Sequence, residues 1–213
     1  MAIIVPAILE KTAEDFNRTL SVVVKLPNLE RIQVDFGDGQ FIANRLLSAS
    51  DMDTLSPAFE WEAHLMCQAP NDFLDYQICG FKTLLLHYEA FPSAAELKKT
   101  ISDAKGMGFK VGVAINPDSS VNVLKDIEAD EYLVMSVVPG KQGQEFILKT
   151  LERIKELRAL KSHAIIEVDG GVNETNIKSI KEAGADLICV GSALVKAADV
   201  NMAYEKLIMA MNS

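Results

Sequence analysis

The sequence has few cysteines, and the three that it has show no metal-binding or redox spacing. Cys67, Cys79 and Cys189 are odd in number, and none belongs to a Cys-x-x-Cys pair. Each lies in or beside an apolar segment, where free thiols are commonly buried. We therefore expect buried, reduced thiols and exclude a disulfide framework or a cysteine zinc site.

Long apolar runs and targeting signals are also missing. No stretch reaches the roughly 18 uninterrupted apolar residues that would suggest a membrane span. The segment from Met1 to Ala7 lacks the basic region, apolar region and cleavage site of a secretory signal. These absences predict a cytoplasmic protein that does not engage a membrane.

Positive charge is scarce. Lysine and arginine number 21 against 30 aspartates and glutamates, which gives a net charge of −9 and an isoelectric point near 4.9. Such a surface repels the phosphate backbone of nucleic acids and anionic membranes. We exclude nucleic acid as a partner, and an anionic substrate would need a local positive site.

The chain has the length and composition of one α/β domain spanning residues 1–213. Short β-rich segments alternate with amphipathic segments, which is typical of βα units around a parallel sheet. The clearest helical periodicity runs from Gln144 to Leu160, and Gly106, Gly108 and Gly184 are helix stop signals. Eight strands are predicted: Ile3 to Ile8, Arg31 to Asp35, Trp61 to Met66, Thr83 to His87, Lys110 to Ile115, Glu131 to Val137, Ala164 to Asp169 and Asp186 to Val190.

A missing dinucleotide motif favours a closed barrel over an open sheet, since eight βα units alone are compatible with both. The end of the first strand and the turn after it read Pro6-Ala7-Ile8-Leu9-Glu10, without the Gly-x-Gly-x-x-Gly of a dinucleotide-binding sheet. We therefore predict an α/β fold with a single (β/α)8 TIM barrel.

Two aspartates stand at predicted strand ends, which is where barrels place catalytic groups. Asp35 ends the second strand and Asp169 the seventh, and these strands lie three steps apart in a ring of eight. The two carboxylates should therefore face one another across the barrel mouth. One could remove a proton from a carbon beside a carbonyl while the other returns a proton to the opposite face. The enediolate formed between the two steps needs a cation or oriented donors.

His64, near the end of the third strand, completes a candidate metal site with these aspartates. An imidazole and two carboxylates form a nitrogen and oxygen ligand set suited to a divalent cation acting as a Lewis acid. Taken singly, an Asp after a strand is commonly a helix cap or turn residue, as Asp169 before two glycines could be. Their convergence on one mouth favours the metal site.

Glycine-rich segments follow the late strands and predict a phosphate site. Glycine lets backbone N–H groups approach phosphate oxygens, and loops after strands seven and eight commonly do this in barrels. A single glycine often only forms a turn, but a set of such segments favours a phosphorylated ligand. They are Val138 to Gln144, Asp169 to Gly171 and Val190 to Ala193.

These residues resemble the ribulose-phosphate 3-epimerase family over nearly the whole chain. The matching segments include Val34-Asp35-Phe36-Gly37-Asp38-Gly39, His64-Leu65-Met66, His87-Tyr88-Glu89, Met135-Ser136-Val137-Val138-Pro139-Gly140 and Glu167-Val168-Asp169-Gly170-Gly171. The resemblance implies interconversion of D-ribulose 5-phosphate and D-xylulose 5-phosphate by proton transfer at C3, a step of the pentose phosphate pathway.

The resemblance also implies roles for individual residues. Asp35 and Asp169 would be the acid/base pair and metal ligands, with His64 as a third ligand. Gln33 stands at the position of a fourth ligand. The implied cofactor is a divalent cation such as Zn²⁺, Mn²⁺, Mg²⁺ or Fe²⁺. The implied substrate and phosphate contacts are Met66, Met135, Gly143, Gly170, Gly171, Gly191 and Ser192.

Several positions depart from the family pattern close to the site. Gln33 replaces a histidine, and a neutral carboxamide is a poorer zinc ligand than imidazole. Ala7 replaces a serine and Gly37 a methionine that covers the reacting centre, so we expect a larger or drier site. Lys141-Gln142 replaces Phe-Gly and adds a cation beside the expected phosphate or sugar hydroxyls.

These departures leave three functions open: a divergent pentulose-phosphate epimerase, an epimerase or isomerase of another ketose phosphate, and a phosphosugar-binding protein without turnover. No strand carries the Asp-x-Lys-x-x-Asp motif of decarboxylase and aldolase barrels, so that class is excluded.

His163 is predicted to lie on the surface at the opposite end of the barrel. His87 and Glu89 fit a structural pair as well as a substrate contact. The expected partners are a small phosphorylated sugar and further copies of the chain in a homo-oligomer.

Overall fold

A computed structural model describes residues 2–213, and its centre is a closed barrel of eight parallel strands. Strands that follow one another in the chain pair in the sheet, and the eighth pairs with the first to close the ring. The predicted (β/α)8 barrel is therefore confirmed. The strands are β1 (Ile3–Ile8), β2 (Arg31–Gly37), β3 (Glu60–Met66), β4 (Thr83–His87), β5 (Lys110–Ile115), β6 (Glu131–Met135), β7 (Ile165–Asp169) and β8 (Leu187–Val190).

Helices surround the barrel and pack their apolar faces on the strands, which forms the main core outside the ring. Side-chain caps on Thr12, Ser93 and Asp199 begin three of these helices. Gly184 ends another in the left-handed conformation at φ 113°, as predicted for a stop signal. The α-helices are α1 (Ala13–Val23), α2 (Leu74–Cys79), α3 (Ala94–Gly106), α4 (Thr150–Leu160), α5 (Ile177–Ala183), α6 (Ser192–Val195) and α7 (Val200–Asn212).

Two strand connections depart from the expectation that a helix separates every pair of strands. Between β2 and β3, and between β5 and β6, the described chain forms only the short 3₁₀ helices Ala49–Asp51 and Val121–Leu124. A third 3₁₀ helix, Tyr88–Ala90, follows β4 directly. The long segment after β2 folds over the mouth of the barrel instead, where it contacts the loop that follows β6.

The helix predicted from Gln144 begins only at Thr150, so the first third of that prediction is wrong. The Gln144 side-chain amide donates to the carbonyl oxygens of Val138 and Lys141, and the amide of Ile147 donates to the carbonyl of Ser136 at 2.9 Å. These bonds hold residues 144–149 as a loop at the barrel mouth. The prediction of β6 also extends two residues too far, because the Ser136 hydroxyl bonds to the carbonyl oxygens of Asp169 and Gly170 as the chain leaves the strand.

The register of the strands places the predicted site residues in one layer at their carboxyl ends. Asp35 pairs with His64 across β2 and β3, and Asp169 pairs with Met135 across β7 and β6. Alternate residues of a strand point to the same side, so Gln33 and Asp35 both face the barrel interior and both are buried. This layer forms the floor of the candidate site.

Beneath this layer lies a buried charged cluster, made of Arg31, Glu62, Glu131 and Glu167. The Arg31 guanidinium lies 2.8 Å from the Glu131 carboxylate and 2.9 Å from that of Glu62. Burial, together with the charge of Glu167, raises the pKa of Glu131 to about 7 and that of Glu62 well above its ordinary value. One guanidinium therefore contacts two buried carboxylates inside the barrel, and a third carboxylate, Glu167, adds its charge nearby.

The cysteine predictions are partly confirmed. Cys79 and Cys189 are buried and free, whereas Cys67 is free but only half-buried. His163 is exposed just before β7, at the end of the barrel opposite the site, as predicted. None of the helices in residues 2–213 combines the length and apolarity that crossing a bilayer requires.

Candidate active site

Asp35 and Asp169 face each other at the carboxyl ends of β2 and β7, joined by one side-chain amide. The Nε2 of Gln33 donates to Oδ1 of Asp35 at 3.0 Å and to Oδ2 of Asp169 at 3.2 Å. Both carboxylates also line the cavity at the barrel mouth. A molecule in this cavity would rest on two carboxylates that approach it from different strands.

His64 closes the group from β3. Its Nδ1 lies 2.7 Å from Oδ1 of Asp35 and 3.6 Å from Oδ2 of Asp169. One ligand atom from each of the three residues falls within 4.8 Å of the others. Within residues 2–213 the Asp169 carboxylate accepts no backbone N–H, so it does not act as a helix cap. Two carboxylates and an imidazole in this arrangement fit a divalent cation in both distance and donor chemistry.

The electrostatics of the three groups are those of a site that holds a proton when no cation is bound. Burial and the nearby charge of Asp35 raise the pKa of Asp169 to about 7. Burial acts to lower the pKa of His64, but the hydrogen bond and charge of Asp35 and the charge of Asp169 raise it overall. Near neutral pH Asp169 and the imidazole of His64 can therefore each hold a proton, and a cation would displace these protons.

Gln33 is oriented as a hydrogen-bond donor toward the aspartates. Its amide N–H groups face the two carboxylates, and its Oε1 lies 3.2 Å from the sulfur of Cys189. The opposite orientation of the amide would set its oxygen against two other acceptors. The thiol also lies 2.8 Å from Oε1 of Glu167, so Cys189 links the site to the charged cluster below it.

The cavity above the aspartates is lined by most of the residues predicted from the sequence. Part of its lining comes from the loop after β6 and from the turns after β7 and β8. Lys141 is exposed and is the one cationic side chain among the lining residues that the structure describes. The predicted residues that line it are Met66, Met135, Gly143, Gly170, Gly171, Gly191 and Ser192.

The turn after β7 requires glycine for both conformation and space. Gly171 has φ 63°, and a Cβ placed there would lie 2.6 Å from the backbone nitrogen of Phe146. The close approach holds the loop after β6 against the turn after β7. Residues from two loops therefore share one edge of the cavity.

The space beside Gly37 is filled, so the structure does not support the larger site that was one of two expectations for this position, the other being a drier site. A Cβ built on Gly37 would lie 2.6 Å from Cδ1 of Ile42, so the isoleucine occupies the space that a larger residue would need. Ile42 is buried and packs with Leu46 and Met66. The segment after β2 thus places an apolar side chain where a larger residue at position 37 would lie.

Sequence reasoning missed three residues that contact or support the site. Ile42 fills the space above Gly37 and gave no signal beyond being apolar in a loop. Cys189 was predicted only as a buried thiol, although its position on β8 two residues before Gly191 could have placed it inside the barrel. The sequence left the role of His87 undecided. Neither His87 nor Glu89 lines the cavity. His87 lies behind His64, and the Nε2 atoms of the two histidines are 2.9 Å apart.

Comparison with known proteins shows the family to which this chain belongs. The sequence model of the ribulose-phosphate 3 epimerase family matches residues 3–195. The ribulose-phosphate 3-epimerase of Bacillus subtilis is 33% identical over 186 residues, which cover 83% of this chain and 84% of that protein. The chloroplastic ribulose-5-phosphate-3-epimerase of Arabidopsis thaliana is 33% identical over 185 residues, or 83% of this chain and 66% of that protein.

A solved structure supports the fold alone. The 3-hexulose-6-phosphate synthase of Salmonella typhimurium superimposes with a TM-score of 0.71 at 19% identity and covers 98% of both chains. At this identity the likeness concerns the barrel and not the reaction.

Proposed function

Because this chain belongs to the ribulose-phosphate 3-epimerase family, we propose that it interconverts D-ribulose 5-phosphate and D-xylulose 5-phosphate by proton transfer at C3. One observation carries the proposal. Asp35 and Asp169 line one cavity from two different strands, β2 and β7, and are joined through Gln33. An epimerisation needs a base on one face of the reacting carbon and an acid on the other, and this pair supplies both.

The two aspartates contact different neighbours. Without a cation, burial and the charge of Asp35 raise the pKa of Asp169 to about 7, so this carboxyl can hold a proton near neutral pH. Asp35 accepts a hydrogen bond from Gln33 and lies 2.7 Å from the Nδ1 of His64. In the proposed reaction one aspartate serves as the base and the other as the acid in one direction, and the roles exchange in the other.

A divalent cation fits between Asp35, His64 and Asp169, and we propose these three as its protein ligands. When bound, it would polarise the ketone carbonyl and offset the negative charge of the enediolate. Gln33, the fourth ligand implied by the family pattern, directs its N–H groups at the carboxylates and so orients the ligands. The loss of an imidazole at this position should weaken Zn²⁺ binding relative to Mn²⁺, Mg²⁺ or Fe²⁺.

The phosphate group would bind at the glycine-rich rim. Gly143, Gly171, Gly191 and Ser192 line the cavity, and their backbone amides and the serine hydroxyl are the donors we propose for the phosphate oxygens. Lys141 adds a positive charge among the lining residues of an acidic protein. Met66 and Met135 supply apolar lining that would help to exclude water from the enediolate.

Exchange of the C3 proton with solvent deuterium tests the proposal. The protein loaded with a divalent cation is mixed with D-ribulose 5-phosphate in D₂O, and ¹H NMR follows the C3 proton and the appearance of D-xylulose 5-phosphate. We expect both exchange and inversion. Exchange only with a hexulose phosphate would favour another ketose phosphate as substrate, and binding without exchange would favour a non-catalytic phosphosugar protein.

Replacing Gly171 with alanine tests the phosphate rim. The new Cβ would press on the backbone of Phe146 and displace the loop after β6. Because displacements of about 1 Å can cost about 100-fold in rate, we expect kcat/KM to fall between about 10-fold and 100-fold, mainly through KM. Steady-state kinetics with the pentulose phosphate measures this change.

Gly108→Ala is the matched control for Gly171→Ala. Gly108 also has a positive φ, 96°, but nothing lies within 4 Å of its added Cβ, and it precedes β5 at the end of the barrel away from the site. We expect about 1 kcal/mol of lost stability from the backbone strain and unchanged kinetics. Equal kinetic losses in both variants would argue against a phosphate site at Gly171.

The remaining expectations concern partners and location. A small phosphorylated sugar as ligand follows from the proposed activity. The homo-oligomeric state and the cytoplasmic location stay predictions from the sequence.

A further inference from the structure

A line of buried polar side chains leads from the candidate metal site into the wall of the barrel. His64 presents Nδ1 to the aspartates and Nε2 to His87, where the two Nε2 atoms are 2.9 Å apart. The Nδ1 of His87 lies 3.6 Å from Oε2 of Glu89. Both histidines have no exposed surface, and Phe41 covers the ring of His87 at a centroid distance of 4.8 Å.

Hydrogen bonding fixes where the protons sit in this line. Two nitrogens at 2.9 Å attract one another only if one of them carries a hydrogen and the other a lone pair. If His87 were the donor, its Nδ1 would present a lone pair to the Glu89 carboxylate. If His64 is the donor, His87 Nδ1 carries the hydrogen and points it toward that carboxylate. Only the second arrangement avoids a buried repulsion at Glu89. When His64 Nδ1 carries no hydrogen, its lone pair faces Oδ1 of Asp35 at 2.7 Å, and a divalent cation between these two atoms would remove that repulsion.

Two buried atoms support the second arrangement. Among the described residues, His87 Nδ1 and Glu89 Oε2 are each without a hydrogen-bond partner, and they face each other. A small rotation of the carboxylate would join them. Buried polar atoms without a hydrogen-bond partner are rare and destabilise the fold. Because these two unpartnered atoms are neighbours, the arrangement indicates that His87 Nδ1 donates a hydrogen bond to Glu89 Oε2.

Glu89 is held in position as an anion. Its other oxygen accepts from the amide of Asn116 at 2.8 Å and from the Ser119 hydroxyl. Arg153 donates to the carbonyl oxygens of Asn116 and Ser119, which fixes the segment that holds the carboxylate. Burial acts to raise the pKa of Glu89, but the nearby His87 ring and the hydrogen bonds from Ser119 and Asn116 hold that pKa below its ordinary value.

We propose that Glu89 and His87 are positioning residues that hold His64 in the tautomer with the hydrogen on Nε2 and a lone pair on Nδ1. A divalent cation between Asp35, His64 and Asp169 requires this lone pair. The inference rests on the metal ligands of the proposed function and extends it by two residues. Partners of this kind raise metal affinity by about 10-fold to 100-fold.

Substitutions at His87 separate this role from simple packing. In His87→Gln the carboxamide oxygen can still accept the hydrogen from His64, whereas His87→Met fills a similar volume without a comparable acceptor. A packing role predicts that the apolar methionine is tolerated at least as well as glutamine in this buried place. The positioning role predicts the opposite order of metal affinity.

The experiment measures Co²⁺ affinity by competition with a chromophoric chelator and records the Co²⁺ d–d spectrum of each full-length variant. We expect His87→Met and Glu89→Gln to weaken Co²⁺ binding about 10-fold to 100-fold with altered spectra. The Co²⁺ affinity of His87→Gln should be closer to that of the wild type. His163→Gln, which removes an exposed histidine far from the site, should bind Co²⁺ as the wild type does.

A measurement on the wild-type protein makes the test independent of variant folding. In the Zn²⁺-loaded protein, ¹⁵N NMR of His64 should show a metal-bound Nδ1 and a protonated Nε2. A protonated Nδ1, or Co²⁺ affinities of His87→Met and Glu89→Gln equal to wild type, would overturn the inference and leave the proposed function intact. A wild-type protein that binds neither cation would overturn the inference together with the proposed metal site.

Discussion

Replacing Asp35 or Asp169 with asparagine is expected to abolish epimerisation while leaving proton exchange with one of the two pentulose phosphates. Each carboxylate approaches the cavity from its own strand, so each serves one face of C3. Loss of one removes inversion, because no group can return a proton to that face. The remaining carboxylate can still remove a proton from its own face and return deuterium there.

The size of the effect follows from the role of the lost group. General acid or base catalysis contributes about 10²-fold to 10⁴-fold, and we expect the rate of inversion to fall by at least that factor. ¹H NMR in D₂O measures exchange and inversion separately, starting from D-ribulose 5-phosphate and from D-xylulose 5-phosphate. The two variants should retain exchange with opposite substrates.

The metal content of each preparation is the control, since both aspartates are also proposed ligands. Metal-depleted wild-type protein should lose exchange with both substrates, which distinguishes loss of the cation from loss of one proton-transfer group. A rate of inversion within tenfold of the wild-type rate, in either variant, would contradict the two-aspartate mechanism. Retained exchange with the same substrate in both variants would contradict the assignment of one aspartate to each face.

The fold and the floor of the site could be predicted from the sequence because both depend on regular geometry. Parallel strands in a barrel end at the same rim, so Asp35, His64 and Asp169 had to meet there once the strands were assigned. The alternation of strand residues also placed Gln33 beside Asp35. These inferences required the order of the strands and no knowledge of the loops.

The loops could not be predicted, because they depend on contacts between distant parts of the chain. Phe146 and Leu148 have helical spacing, but the side chain of Gln144 and the crowding at Gly171 hold that segment in a loop. Ile42 fills the space above Gly37 only because the segment after β2 folds back over the mouth. Neither contact leaves a periodic pattern in the sequence.

The sequence also could not predict which side chains inside the site donate hydrogen bonds and which accept them. Gln33 looked like a weakened metal ligand, yet it donates to Asp35 and to Asp169, which lies 136 positions away in the sequence. His87 and Glu89 fitted a structural pair and a substrate contact equally well until their position behind His64 was seen. Hydrogen-bond direction depends on the complete set of neighbours, which three-dimensional packing alone supplies.

Replacing Arg31 with methionine is expected to cause the largest loss of stability. Arg31 is 6% exposed and contacts the buried carboxylates of Glu62 and Glu131 at 2.9 and 2.8 Å. Methionine retains much of the volume but removes the only guanidinium that enters the cluster. Leaving buried charges without their partner costs about 3–5 kcal/mol, which should lower Tm by roughly 10 °C in a chain of this size.

The stability lost in Arg31→Met should be greater at high pH than at low pH. The folded-state pKa of Glu62 and of Glu131 is raised above the ordinary value of 4.5, to about 7 for Glu131. The protonated forms therefore favour folding, and their contribution is complete below about 4.5 and is lost as the pH rises through the folded-state pKa. We expect a small effect of Arg31→Met at pH 5 and the full effect at pH 8, measured by urea unfolding.

Two further variants separate the ion-pair cluster from other effects of losing an arginine. Arg18→Met breaks the exposed Arg18–Asp15 pair and should change the free energy of unfolding by less than about 1 kcal/mol. Adding Glu62→Gln and Glu131→Gln to Arg31→Met removes the uncompensated charges and should recover most of the loss at pH 8. A loss that is larger at pH 5 than at pH 8, or that the added glutamines do not reduce, would show that Arg31 stabilises the barrel by packing and not by charge.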